Sequence, residues 1–208
     1  MKNLSLARFI FICLIFLQGA SVSSLMAQEN SAERQTLSRE EFVKELKNSA
    51  LLVRLQDRTN TIATLKEKGM INEAEKLAQQ QRLENRETLL SFTQTFDFCP
   101  VYFFYAKDSE AIRSGDLDGI VFNANLELVP VKLNKFYTAE FAETPDLGID
   151  GLIVMDQRLL NLDNSLPFFE RRFVFFNLKE RSKAEIIEAY NTRMNDYFNF
   201  YQAKKKAE

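Results

Sequence analysis

Asp156 closes the apolar run at residues 152–155, and Asp146, Asp150 and Asp163 lie in the segments either side of it. In an open α/β sheet the ligand crevice lies beyond the carboxyl ends of strands. An acid there can hold Mg²⁺ or act as a general base, with Asp150, Phe168 and Phe169 as the accompanying ligand contacts. An Asp that opens a turn after a strand has the same appearance in sequence. Residues 114–119 set Asp116 and Asp118 at alternate positions beside glycines, as part of a calcium loop does. In EF-hand register the first and twelfth positions fall on Ser114 and Asn125, where that loop needs carboxylates. A turn ending a short helix at Gly115 accounts for the same residues.

Cys99 is the third group with possible chemistry. A lone thiol can serve as a nucleophile, a redox sensor or an intermolecular disulfide partner. It lies between Phe98 and Pro100 at the start of an aromatic run, with no base or cation beside it in sequence. That setting predicts a buried thiol behaving as a small hydrophobe. The chain has no histidine, which removes Ser–His and Cys–His pairs, histidine zinc sites and histidine acid/base catalysis together. No phosphate-binding or dinucleotide glycine motif is present either. The sequence calls for no cofactor. Phe103, Phe104, Phe168, Phe169, Phe173, Phe175 and Phe176 can line an apolar cleft or fill a core.

The elements that must position these groups fall into two regions. Over residues 38–95, Ser38 and Glu41 have capping-box spacing, and Phe42, Leu46, Ala50 and Val53 continue at helical period. Gly69 is a helix-ending residue and Asn72 a second cap. The reading is a long αα-hairpin with a polar middle, each arm about 45 Å long if 30 residues are helical. Composition changes at Phe96. Residues 98–105 read as a strand buried on both faces, followed by a short helix ending at Gly115. Further strands are expected at residues 119–122, 136–141, 152–155 and 172–176. A closing helix from about residue 182 to 203 carries Ile186, Ile187, Tyr190, Met194, Tyr197, Phe198 and Tyr201 on one face. The expected class is α/β or α+β: the hairpin, then a mixed sheet of about five strands over 96–208, with the C-terminal helix on the sheet.

The N-terminus reads as an export signal. Lys2 and Arg8 precede nine unbroken apolar residues at 9–17, and small residues lead to Ala27. That order is signal-peptide grammar, and the run is far short of the roughly 20 residues that span hydrocarbon. Cleavage near Ala27 leaves residues 28–37 as a flexible lead-in and no transmembrane segment. It takes two of 27 basic residues and none of 29 acidic ones, shifting the formal charge from −2 to −4. That balance excludes a basic nucleic-acid surface, and Lys204, Lys205 and Lys206 read as a solvated tail. Only Cys99 then remains, so the core must hold the fold without a disulfide. The expectation is a periplasmic or secreted bacterial envelope protein, non-catalytic. It would bind an envelope partner, or itself, through residues 38–95 or an apolar cleft. The alternative is a divalent-cation-dependent hydrolase or transferase built on Asp156.

Overall fold

The computed structural model describes residues 37–144, 148–174 and 179–207. The signal-peptide reading of 1–27, the lead-in up to residue 36, Asp146, and the end of the expected 172–176 strand lie outside the described residues.

Helix α1, Arg39–Lys47, starts at the expected capping box. Glu41 Oε2 accepts from the Ser38 amide at 2.9 Å, and Ser38 Oγ accepts from the Glu41 amide at 3.2 Å. It buries Phe42, Val43 and Leu46 and stops at Asn48. Here the hairpin reading fails: the chain turns into strand β1, Ala50–Leu55. The reason is that residues 50–53 are apolar without interruption. A surface helix would have to expose some of them, whereas a central strand covers both sides. Ala50, Leu51, Leu52, Val53 and Leu55 are all buried.

A helical pair does follow, but a shorter one. Helix α2, Thr59–Glu67, ends at Gly69, whose φ of 74° is left-handed, and α3 runs Ile71–Thr95. Strand β2, Val101–Tyr105, leads through a 3₁₀ turn at Ala106–Asp108 into α4, Ser109–Ser114. The strand expected at 119–122 is reduced to a bridge, in which Phe122 pairs with Phe103. Strands β3, Phe136–Glu143, and β4, Asp150–Met155, extend the two expected there. The expected 172–176 strand is instead β5, Phe169–Arg171, and β6, Phe173–Val174. After β7, Lys179–Glu180, helix α5 covers Lys183–Ala207.

The main sheet has the order β2-β1-β3-β4-β5. Strands β2, β1 and β3 are mutually parallel, while β4 runs antiparallel to β3 and β5 antiparallel to β4. A hydrogen-bonded β6–β7 ribbon stands apart. The class is therefore mixed α/β, with five helices among the described residues. Because β1 lies inside the sheet, there is no boundary at residue 95, and residues 38–208 form one unit.

Helices cover both faces. Phe42 of α1 meets Tyr137 edge-on at 5.1 Å, and Phe92 of α3 meets Phe103 at 6.4 Å. Ile186, Ile187, Tyr190 and Met194 of α5 are fully buried. Glu170 ties α5 down, taking Arg193 at 2.8 Å and Arg181 at 2.7 Å. The opposite face packs Leu52, Phe104 and Phe136 against Ile112 of α4 and against Leu117 and Val121. Gly151 permits β5 to lie close, since a Cβ there would meet the Glu170 carbonyl at 2.3 Å. No helix among the described residues is long and apolar enough to cross a membrane.

Candidate functional site

The topology defines one special place. The β1-to-β2 connection carries α3 on one face, and the β2-to-β3 connection carries α4 on the other, stepping back over β1. Beyond their carboxyl ends, β1 leads away toward β2 on one side in the strand order and β3 leads away toward β4 on the other. In open α/β sheets that divergence leaves a crevice. A cavity of about 360 Å³ lies there, within the range of small-ligand sites.

Its walls come from separate elements. Arg54, near the end of β1, donates to Glu140 of β3 at 2.8 Å. Just beyond, the Gln56 backbone is held on both sides by Asn85 of α3, which accepts from its amide at 2.8 Å and donates to its carbonyl at 2.9 Å. The next turn is fixed to the same helix: Gln81 Oε1 accepts from the Arg58 amide at 2.6 Å, and Arg58 Nη2 donates to Glu84 at 2.9 Å. These bonds hold the exit of β1 rigidly against α3.

Lys183, the first residue of α5, is a buried part of the wall at 9% exposed. Its ammonium donates to Thr88 Oγ1 at 2.9 Å and to the Glu84 carbonyl at 3.1 Å, with Glu87 at 3.4 Å. Those partners satisfy a cation placed at the positive end of a helix. Arg172 pairs with Asp150, which opens β4 beside the end of β3. The Phe141 ring has the Lys183 ammonium 5.4 Å and the Arg172 guanidinium 5.9 Å from its centre, cation–π distances in both cases. The cavity is thus lined by charge and amides with a single aromatic ring.

The sequence-derived candidates fall in different places. Asp150 is in this wall; Asp156 is not. Asp156 ends β4, and because β4 is antiparallel it sits at the amino ends of β1 and β3, about 20 Å of extended chain from Asp150. Its Oδ1 accepts from the amides of Arg158 and Leu160, both at 2.9 Å, and its Oδ2 faces Arg158 at 3.6 Å. It shapes a turn. Phe168 and Phe169 belong to the β4–β5 pairing: Phe168 accepts from the Val154 amide at 2.7 Å, and Phe169 is in register with Ile153.

Asp116 closes α4. Its amide donates to the Ala111 carbonyl and the Gly115 amide to Ile112, with Gly115 at φ 79°, the Schellman arrangement. Asp116 Oδ1 accepts from the Asp118 amide at 3.3 Å, a local turn. Among the described residues, no group of three or more carboxylate or thiol side chains is placed to share a metal ion. Cys99 is 7% exposed, and burial pushes its thiol up from 9.0 to about 12.

Sequence reasoning missed Arg54, Arg58, Arg172, Lys183 and Phe141, and the signal for Arg54 was present. An arginine next to the last position of an otherwise apolar six-residue run marks the end of a strand that reaches solvent. Comparison of the chain with family models, with curated proteins and with solved structures finds no match.

Proposed function

We propose that this is an exported, non-catalytic binding protein whose small-molecule seat is the charged cavity beyond β1 and β3. One observation carries the reading: four separately placed segments converge at the sheet's reversal point, each contributing a charged side chain held by bonds to its neighbours. The export part rests on the residue pattern at 1–27. The non-catalytic part rests on carboxylates already engaged with cations or turns and on a chain without histidine.

Two measurements test it. In amide NMR spectra, sodium phosphate, glycine, putrescine and glucose are added one at a time to the purified protein. The expected result is that at least one of them shifts a group of signals around Gln56, Asn85 and Lys183. Shifts absent there for every probe would remove the seat. For export, the protein recovered outside the cytoplasm should begin near Gln28; a chain retained inside with Met1 intact would remove that part.

A second reading is self-association through α2 and the outer side of α3. It is favoured by Leu83 and Leu90, seven residues apart and 60% and 47% exposed, on a helix whose neighbour α2 buries none of its residues. Two copies can pair along such a seam. Light scattering should then give a dimer mass that falls to the monomer in Leu83→Lys.

A further inference from the structure

The cavity's wall distinguishes donors from acceptors, and that asymmetry names a ligand class. A guanidinium carries five N–H donors in a planar fork. Arg58 directs one of them to Glu84. Arg54 directs one to Glu140, and its Nε is buried without a partner among the described residues. Arg172 meets Asp150 through Nε, with Glu180 no nearer than 3.9 Å.

The acceptors are more fully engaged. Glu84 takes Arg58 on one oxygen and Gln80 on the other, and its carbonyl takes Lys183. The Asn85 amide is closed on Gln56 on both sides. Lys183 has three oxygen partners for its three protons. Four cationic side chains line the cavity, and each has one carboxylate beside it: Glu140 at Arg54, Glu84 at Arg58, Asp150 at Arg172 and Glu87 at Lys183. What remains open is a set of guanidinium N–H groups.

We infer that the seat takes a small oxyanion, a carboxylate or phosphate group gripped by the free donors of Arg54, Arg58 and Arg172. This rests on the cavity being a ligand seat. The fork geometry matches two oxygens of one such group, met by the terminal guanidinium nitrogens that these pairs leave open. Lys183 acts from behind, holding Phe141 and α3 in place.

Calorimetric titration with sodium phosphate, sodium succinate, putrescine and glucose decides the question, with amide shifts at Gln56 and Lys183 locating whatever binds. At least one of the two acids should bind there. Arg58→Gln and Arg172→Gln should each weaken it about tenfold, the scale of one charge-assisted bond. Arg58→Lys, which keeps the charge but not the fork, should recover little of that loss. Arg113→Gln, remote and paired with Glu110, should bind as the parent does. Succinate alone binding identifies a carboxylate ligand, and phosphate alone identifies a phosphate ligand.

Putrescine or glucose seated at those amides, with both acids silent, overturns the oxyanion while leaving the seat. Silence from all four probes, with glycine also leaving those amides unmoved, overturns both. If a glutamine variant does not fold, the unmodified protein still answers: acid binding that leaves the Gln56 and Lys183 amides unmoved contradicts the inference.

Discussion

The Asn85 side chain stands to Gln56 as a neighbouring strand would, accepting from its amide at 2.8 Å and donating to its carbonyl at 2.9 Å. A helix side chain thereby satisfies both backbone groups of the residue just past β1. The sheet needs no further strand at that point, and the space beside it is left for the cavity. Asn85 is 9% exposed, so its loss leaves two polar backbone groups poorly paired. Asn85→Ala should destabilise the fold by about 1–3 kcal/mol, read from urea unfolding, and should also weaken whatever binds at the cavity. Unchanged stability would show that water replaces the amide without cost.

Tyr190 offers the opposite case. Its ring is fully buried and stacks on Phe96 at 6.3 Å, yet its hydroxyl has no hydrogen-bond partner among the described residues. Burying an unpaired hydroxyl is costly. Tyr190→Phe should leave stability equal or raise it by up to about 1 kcal/mol, a melting rise of at most about 4 °C for a chain of this size. A clear fall in melting temperature would mean that the hydroxyl is bonded in solution.

Alkaline conditions should loosen the fold through Cys99. Burial raises its thiol from 9.0 to about 12. The unfolded chain ionises as pH passes 9, while the folded chain keeps the proton until about 12. Stability from this group is therefore complete below pH 9 and declines between pH 9 and 12, by about 1.4 kcal/mol per pH unit. Burial moves the Tyr137 and Tyr190 hydroxyls in the same direction, with a bond to Glu45 adding to the shift at Tyr137. Urea midpoints should fall steadily over that range, less steeply in Cys99→Ala. In a Cys13→Ser protein, thiol labelling at pH 8 should proceed only as fast as the protein opens.

Asp156 separates the turn reading from the catalytic one. Asp156→Asn keeps an oxygen for the Arg158 and Leu160 amides and should cost little. Asp156→Ala should cost about 1 kcal/mol, as loss of a comparable side-chain-to-backbone bond does. Neither should change binding at the far end of the sheet. Calorimetry with Mg²⁺ or Ca²⁺ should show no heat that depends on this residue; a signal abolished in Asp156→Ala would revive the hydrolase alternative.

What the sequence discloses about this fold follows physical lines. The capping box at Ser38 and Glu41, the left-handed turns at Gly69 and Gly115 and the buried face of α5 are local or periodic, and each stands where its residues indicate. Strand β1 was hidden because Phe42, Leu46, Ala50 and Val53 happen to continue a helical period across its start. What decides the matter is the pairing of Ala50 with Phe136 and of Leu51 with Val101, contacts made 86 and 50 residues away along the chain. The cavity was hidden for the same reason. Arg54 and Arg58 lie more than 100 residues from Arg172 and Lys183, too far for spacing to unite the two pairs, and an antiparallel β4 sends Asp150 and Asp156 to opposite ends. Direction of a strand is a tertiary property that composition does not carry.

One connection shapes how copies of the chain meet in a crowded solution. Phe122 exchanges backbone bonds with Phe103 at 2.8 and 2.9 Å, so the segment after α4 lies along the outer side of β2. An uncovered edge strand is a template for other chains, and proteins blunt such edges to stay dispersed. At its middle, β2 already has its partner from the same chain. Stacking of copies edge to edge would first have to peel that segment away, which makes it a safeguard against fibre growth.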